Sequence, residues 1–303
     1  MEVQKIETIN EFHRTRDLPE PDHPLISVVN YAHLKLPDHQ YLVNWAYDFY
    51  VISVKKNLNG KIKYGQQEYD FDEGMMSFIS PGQVFRIEAD PDASPNKSGW
   101  MLLVHPDFLW NTPLAKTIQH YEYFDYAVNE ALFLSKKEEV TMLGIIKNIR
   151  KEYHANIDKF TQDIIISHID TLLNYAERFY ERQFITRKVT THQVLEKLEE
   201  LLNTYFGQDD LVNKGFPTVQ YVSDQLNLSP SYLSSLLKSL TGQSTQQHIH
   251  EKIIELAKEK LSTTELSINE IAYELGFDYP QSFSKLFKSK TKLSPLAFRK
   301  SFN

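Results

Sequence analysis

The sequence predicts an α+β fold, in which a β-sheet domain is followed by two long helices and then by an all-α domain built from a duplicated unit. Three observations carry this. Short β-branched and aromatic runs with turn residues between them dominate up to about residue 104. Helical periodicity takes over from about residue 136, and beyond residue 194 the sequence repeats itself at an offset of 49 to 50 residues. At 303 residues the chain suits more than one domain. The expected boundaries are 1–135, 136–188 and 189–303.

In the first segment, Phe49-Tyr-Val-Ile-Ser-Val54 is a β-branched and aromatic run closed by Asn57, Asn59 and Gly60. Further strands are expected at 61–64, 69–71, 75–79, 84–87 and 100–104. Gly65, Asp72-Glu-Gly74, Pro81-Gly82 and the stretch DPDASPNKSG at 90–99 separate them. A turn every 8–12 residues between short strands is the pattern of a sandwich or small barrel. Tyr31-Ala-His33 also reads as strand.

From about Lys136, Val140, Leu143, Ile146 and Ile149 recur at spacing three, with Ile145 broadening the stripe. A second helix is expected over 160–184, with Ile165, Ile169, Leu172, Leu173, Ala176 and Phe179 as its apolar side. Two such amphipathic helices can pack on the β domain or on a second subunit. The polar, basic stretch at 186–191 reads as a linker.

The repeat is explicit. Val222-Ser223 and Leu226 match Ile271-Ala272 and Leu275 at an offset of 49. Leu233-Ser-Ser-Leu-Leu-Lys238 matches Phe283-Ser-Lys-Leu-Phe-Lys288, and Thr241 and Ser244 match Thr291 and Ser294, at an offset of 50. Each copy reads as helix, tight turn, helix: two helix-turn-helix units at about 218–242 and 267–292, joined by one helix over 244–261. Thr218 caps the first helix of one unit, and Ser267 with Glu270 forms a capping box in the other. Asn227 and Gly276 stand where the chain must reverse with positive φ. Ser229 caps and Pro230 opens the second helix of one unit, and Asp278 or Tyr279 stands likewise before Pro280 in the other.

In those second helices, Tyr232, Leu233, Leu236, Leu237 and Leu240, and likewise Phe283, Leu286 and Phe287, are expected inward. That leaves Ser231, Ser234, Ser235 and Lys238 outward in the first, and Gln281, Ser282, Ser284, Lys285 and Lys288 in the second. Hydroxyl, amide and ammonium groups are those that bond base edges and phosphates in a major groove. Gln281 is the best base reader, because Gln bonds adenine bidentately.

The net charge of −7 argues against a nucleic-acid partner until its distribution is considered. Beyond residue 278 there are six basic residues, Lys285, Lys288, Lys290, Lys292, Arg299 and Lys300, and no acid. A local basic surface of this kind can meet phosphates while the acidic remainder keeps non-specific binding weak. The absence of Cys excludes disulfides, thiolate zinc sites and cysteine nucleophiles, and fits a reducing cytoplasm. The first residues have no apolar core of a signal peptide, and no apolar run approaches the ~18 residues of a membrane span, so a cytoplasmic protein is expected.

At residues 267–299, SINEIAYELGFDYPQSFSKLFKSKTKLSPLAFR, the chain resembles the AraC/XylS family of transcription regulators over the whole length of that family's signature. YVSDQLNLSPSYLSSLLKSLTGQS resembles its less constrained first half. By that resemblance Ser231, Ser234 and Ser235 face bases from one recognition helix, and Pro280, Gln281, Ser282, Ser284 and Lys285 from the other. Two positions depart from the pattern. Lys292 stands where the family usually has Gly, which alters the turn or adds a phosphate contact, and Ser235 stands where many relatives carry a long basic residue.

Residues 49–88 are similar to the cupin-like β-barrel effector domain of such regulators, through the Gly turn, the aromatic hairpin, Glu73-Gly74 and a hairpin closed by Pro81-Gly82-Gln83. The resemblance implies that 1–135 is an effector and dimerisation domain and 136–188 a helical linker and dimer interface. It implies double-stranded promoter DNA as partner, a small-molecule effector, a homodimer, and RNA polymerase as a further partner of an activator. Trp45, Tyr47, Phe49, Tyr50, Tyr64, Tyr69 and Phe71 either line a pocket or form plain core, and no effector contacts are assigned.

Other classes fare worse. A metal-holding cupin enzyme would place His-X-His near residues 74–85, and none occurs there; no metal, cofactor or enzymatic activity is expected. His248 and His250 are two apart on a helix and so diverge. DNA alkyl-transfer repair needs a reactive Cys. A module whose helices bind only protein is the remaining alternative.

Overall fold

The computed structural model describes residues 3–34, 44–56, 62–64, 67–69, 74–86, 98–127, 130–155, 158–186, 188–207 and 211–301. The chain forms two compact units, Met1–Thr186 and Arg187–Asn303.

The first unit carries strands β1 (Val3–Ile6), β2 (Ile26–Asn30), β3 (Asn44–Tyr47), β4 (Tyr50–Lys56), β5 (Ile62–Tyr64), β6 (Gln67–Tyr69), β7 (Gly74–Ile79), β8 (Val84–Arg86), β9 (Ser98–Val104) and β10 (Leu132–Leu134). Its helices are α1 (Ile9–Thr15), α2 (Leu114–Thr117), α3 (Lys136–Tyr153) and α4 (Thr161–Thr186). The strands lie in a five-stranded sheet ordered β10-β7-β4-β9-β2, a three-stranded sheet ordered β1-β3-β8 and the β5-β6 pair. Ile6, Trp45, Tyr47 and Phe85 from the smaller sheet share one core with Val29, Val51, Ile79 and Leu103 from the larger. The expected closed barrel is not observed: among the described residues no sheet closes on itself, because the ladders end at β10 and β2 and at β1 and β8.

The β10 edge is occupied by α4 instead. The Gln183 amide, 2% exposed, accepts from the Phe133 N–H at 2.8 Å and donates to the Ala131 carbonyl at 3.2 Å, taking the place of a further strand. Arg182 donates to the Phe133 carbonyl and bonds both oxygens of Glu138. Glu138 also completes the Ser135 capping box that starts α3. Both helices therefore pack on the sheet of their own unit.

Several expectations change. Pro81-Gly82-Gln83 closes no hairpin; it carries the chain from β7 in one sheet to β8 in the other, with the Gly82 N–H donating to the Tyr47 carbonyl at 2.7 Å. Tyr31–His33 is a short 3-10 turn capped by Asn30, so Tyr31 and His33 share no strand face. Val140 is 71% exposed, whereas Met142, Ile145, Ile146, Ile149 and Tyr153 are buried. Steps of three residues drift backwards by about 60° each, so Val140 lies opposite Ile149. The expected turns at 57–60, 65 and 72–73, Phe71, Ile87 and most of 90–99 lie outside the described residues.

The second unit is helical: α5 (Lys188–Phe206), α6 (Leu211–Lys214), α7 (Val219–Leu226), α8 (Pro230–Thr241), α9 (Thr245–Thr263), α10 (Ile268–Glu274), α11 (Pro280–Thr291) and α12 (Pro295–Lys300). Helix resumes at Lys188, inside the expected linker, since 188–191 contains no Pro or Gly to stop it. No helix among the described residues is long and apolar enough to cross a membrane.

His13 provides a test of the first unit. It is 6% exposed, its Nδ1 meets the Pro19 carbonyl and its Nε2 the Ser27 hydroxyl. The carbonyl can only accept, so Nδ1 carries the proton and Nε2 accepts from Ser27. Burial lowers the imidazole pKa, and the Pro19 carbonyl opposes this only in part. The unfolded chain therefore takes up a proton first, so the stabilisation is complete above about pH 6.5 and is lost as pH falls below it. Thermal melts of the first unit's transition from pH 7.5 to 5 should show a falling midpoint, and His13→Gln should flatten that slope.

Candidate nucleic-acid interface

Helices α7–α8 and α10–α11 repeat one another in detail. Thr218 and Ser267 cap the first helices, the latter with the Glu270 capping box. The reversal uses Asn227 at φ 56° in one unit and Gly276 at φ 83° in the other. Ser229 caps α8, while Tyr279 precedes Pro280 at the start of α11 without a side-chain cap.

The ends of α8 and α11 match atom for atom. Thr241 Oγ1 donates to the Leu237 carbonyl at 2.9 Å and accepts from the Gln243 N–H at 3.2 Å. Thr291 Oγ1 meets the Phe287 carbonyl at 2.8 Å and accepts from the Leu293 N–H at 3.3 Å. Each helix then ends on a left-handed residue, Gly242 at φ 75° and Lys292 at φ 65°. Ser244 and Ser294 cap the helices that follow. Lys292 thus keeps the turn that glycine makes in the first unit, and its Nζ donates to the Ser289 carbonyl at 3.2 Å.

One core holds both units. Val222, Leu233 and Leu237 from the first, and Ile271, Ala272, Phe283 and Phe287 from the second, pack with Ile249, Ile253, Ile254, Ala257 and Leu261 of α9. The Gly276 turn presses on residues before the first unit, where a Cβ would meet Gly215 Cα at 2.9 Å.

The outward faces are only partly as expected. Gln281, Ser282, Lys285 and Lys288 are exposed and Ser284 is half-buried. Gln281, Lys285 and Lys288, at i, i+4 and i+7, form one stripe. Lys285 and Lys288 make no ion pair among the described residues. In the first unit Lys238 is exposed and Ser231 and Ser234 are half-buried, but Ser235, expected outward, is 9% exposed. It occupies the repeat position of Lys285. A side chain ending at Oγ stays within the helix's own shell, whereas a lysine stem reaches past it.

Arg299 also departs from the expected basic surface. It is half-buried, and its Nε donates to the Leu261 carbonyl at 3.2 Å near the end of α9. It ties α12 to the connector. Tyr279, 70% exposed at the start of α11, was not among the expected contact residues; its signal was an aromatic directly before the Pro that opens the helix. His248 and His250 are half-buried, and burial lowers both imidazole pKa values; His248 Nε2 lies 2.9 Å from Thr241 Oγ1. No group of three or more His, Asp or Glu side chains suited to a metal occurs among the described residues.

Residues 222–301 match the family model described as a helix-turn-helix domain. The chain is 35% identical over 94 residues to the uncharacterized transcriptional regulatory protein YesN of Bacillus subtilis (strain 168), covering 30% of this chain and 26% of that one. It is 36% identical over 91 residues to the arabinose operon regulatory protein of Escherichia coli (strain K12), covering 30% and 31% respectively. The chain therefore spans between a quarter and a third of the length of these relatives. The solved C-terminal domain of AraT, a response regulator from Geobacillus stearothermophilus, is similar at 32% identity, with 36% of this chain and 84% of that domain covered and a TM-score of 0.31.

The two turn residues make opposite predictions. Lys292→Gly should raise stability by about 1 kcal/mol, because it removes the cost of a side chain in the left-handed region. Gly276→Ala should lower it by more than about 2 kcal/mol, since it adds both that strain and a clash. Urea unfolding of the two variants beside the parent measures both.

Proposed function

We propose that this chain, whose residues 222–301 match a helix-turn-helix domain and which is similar to the arabinose operon regulatory protein and YesN, is a sequence-specific transcription regulator of the AraC/XylS type acting on double-stranded promoter DNA. The observation that carries the reading is the geometric repeat: two capped helix-turn-helix units, each presenting a polar or basic helix face, held by one connecting helix.

In this reading α8 and α11 enter successive major grooves on one face of the duplex. The connector α9 has 19 residues, a length of about 28 Å at 1.5 Å per residue. One turn of DNA is about 34 Å, so the duplex bends towards the protein, at a cost of a few kcal/mol repaid by contacts. Gln281 reads a base, adenine being its natural bidentate partner. Lys285 and Lys288 meet phosphates or base edges beside it, with Ser282 and Ser284 as short hydroxyl contacts. Ser231, Ser234 and Lys238 position the first helix with little direct readout. Ser235 is left out because it is buried.

The first unit, similar in sequence to cupin-like effector domains, is assigned control of the second through a small-molecule effector or through dimerisation. Its helices α3 and α4 retain exposed apolar residues, Val140, Ile164 and Ile185, as material for a homodimer contact. The protein so described works in the cytoplasm, and it engages RNA polymerase where it activates.

Mobility-shift assays against genomic fragments test the core of this. A preference for particular fragments that survives competitor DNA is expected; no preference at any salt concentration would favour a module that binds only protein. Gln281→Ala should lose about 1–3 kcal/mol on the preferred site and relax specificity at one or two base pairs. Lys288→Ala should weaken all DNA alike and reduce the slope of log K against log salt by about 1. A uniform loss for Gln281→Ala would remove it from base readout.

A further inference from the structure

Helix α1 ends in a cation that no described residue of the first unit neutralises. Arg16 is 2% exposed. Its Nη2 donates to the Tyr47 hydroxyl at 3.2 Å, and its Cζ lies 4.7 Å from the Trp45 ring centroid and 5.6 Å from that of Phe12. No carboxylate pairs with it among the described residues, and its Nη1 is buried without a hydrogen-bond partner. The indole Nε1 of Trp45, 6% exposed, is likewise buried and unpartnered. Two donors on neighbouring side chains thus lack acceptors in one place, one of them bearing a full charge.

Native interiors seldom leave even one such group, and a buried charge is retained only when something compensates it. The faces of Trp45 and Phe12 and the hydroxyl of Tyr47 satisfy the guanidinium in part. What is missing is an acceptor with negative charge.

We propose that Arg16 and Trp45 form a binding site for the carboxylate of a small organic acid. A planar, singly charged group with two acceptor oxygens matches the two kinds of free donor, the guanidinium edge and the indole N–H. The surrounding aromatics, with Tyr47 and Phe49 stacked at 5.2 Å and Phe85 edge-on to Tyr47 at 5.0 Å, suit an apolar body better than a hydrated inorganic anion. The site deepens the effector role proposed for the first unit and rests on that reading.

The test uses the full chain, with benzoate and octanoate as probes, benzamide and octanol as neutral counterparts, and inorganic phosphate. Calorimetric titration and thermal melting should show saturable binding and a raised melting temperature with at least one acid, and neither with the neutral compounds or phosphate. Arg16→Met should abolish that binding and, without any acid, melt higher than the parent, since an uncompensated charge has gone from the interior. Trp45→Phe should fold and bind the acid at least threefold more weakly. Were Arg16→Met not to fold, Trp45→Phe decides: unchanged affinity overturns the proposal. So does the absence of a saturable response to either acid, an equal response to phosphate, or a folded Arg16→Met protein that keeps the parent's affinity for the acid. Mobility shifts on the same preparations keep the two readings apart. Specific DNA binding without acid binding refutes this site alone, whereas loss of specific DNA binding by the parent refutes the regulator reading.

Discussion

The buried face of α9 is the constraint on which the C-terminal architecture depends. At about 25 residues each, the helix-turn-helix pairs are shorter than a chain that buries a core of its own. Each buries its inner side chains against Ile249, Ile253, Ile254, Ala257 and Leu261. The connector is thus the middle of a single core, and the relative placement of α8 and α11 is a property of side-chain packing. Tight packing resists continuous deformation, so that placement is not freely adjustable. The Arg299 bond to the Leu261 carbonyl and the Lys260–Glu274 ion pair at 2.7 Å fasten the far end of α9 to α12 and α10.

On this common frame the two outward faces have diverged. At matched positions the first helix has Ser231, Ser234, Ser235 and Lys238 where the second has Gln281, Ser284, Lys285 and Lys288. The burial of Ser235 widens the contrast, since the position that extends a cation in the second unit offers no accessible group in the first. The frame is nonetheless repeated down to the threonine and the left-handed residue at each helix end. The two units thus share a backbone and differ in the chemistry of their outward faces.

The C-terminal half was legible because its signals are local. A cap, a capping box, a positive-φ reversal and an apolar stripe are each complete within a few residues, and Thr218, Ser267, Asn227 and Gly276 all act as their sequence context implies. In the N-terminal unit the determining contacts are distant in sequence. The parallel pairing of β1 with β3 joins Val3 to Asn44, and nothing in the pattern of either strand names its partner. The Pro81-Gly82 turn has the residues of a hairpin, yet the larger sheet takes one flanking strand and the smaller sheet the other. Val140 was misplaced by a spacing of three extended too far, and Ser235 by a helical phase that says where a side chain points but not how far it reaches. The outward stripe of Gln281, Lys285 and Lys288 could be read from phase because those side chains are long. The buried Arg16 could not be read at all, because unlike charge patterning its isolation exists only once the fold has brought Trp45 beside it.

The contact between Gly276 and Gly215 bears on how such a molecule can change over evolutionary time. The reversal within the second unit lies directly against the segment that precedes the first, with φ of 83° and 69° on the two glycines and no room for a methyl group on Gly276. In an open-ended repeat protein each module offers the next a free docking face, so copies can be added indefinitely. Here the second copy has turned back onto the lead-in to the first, and that face is spent. At this contact the duplication closes on itself rather than leaving the reversal of its second copy open as a docking face.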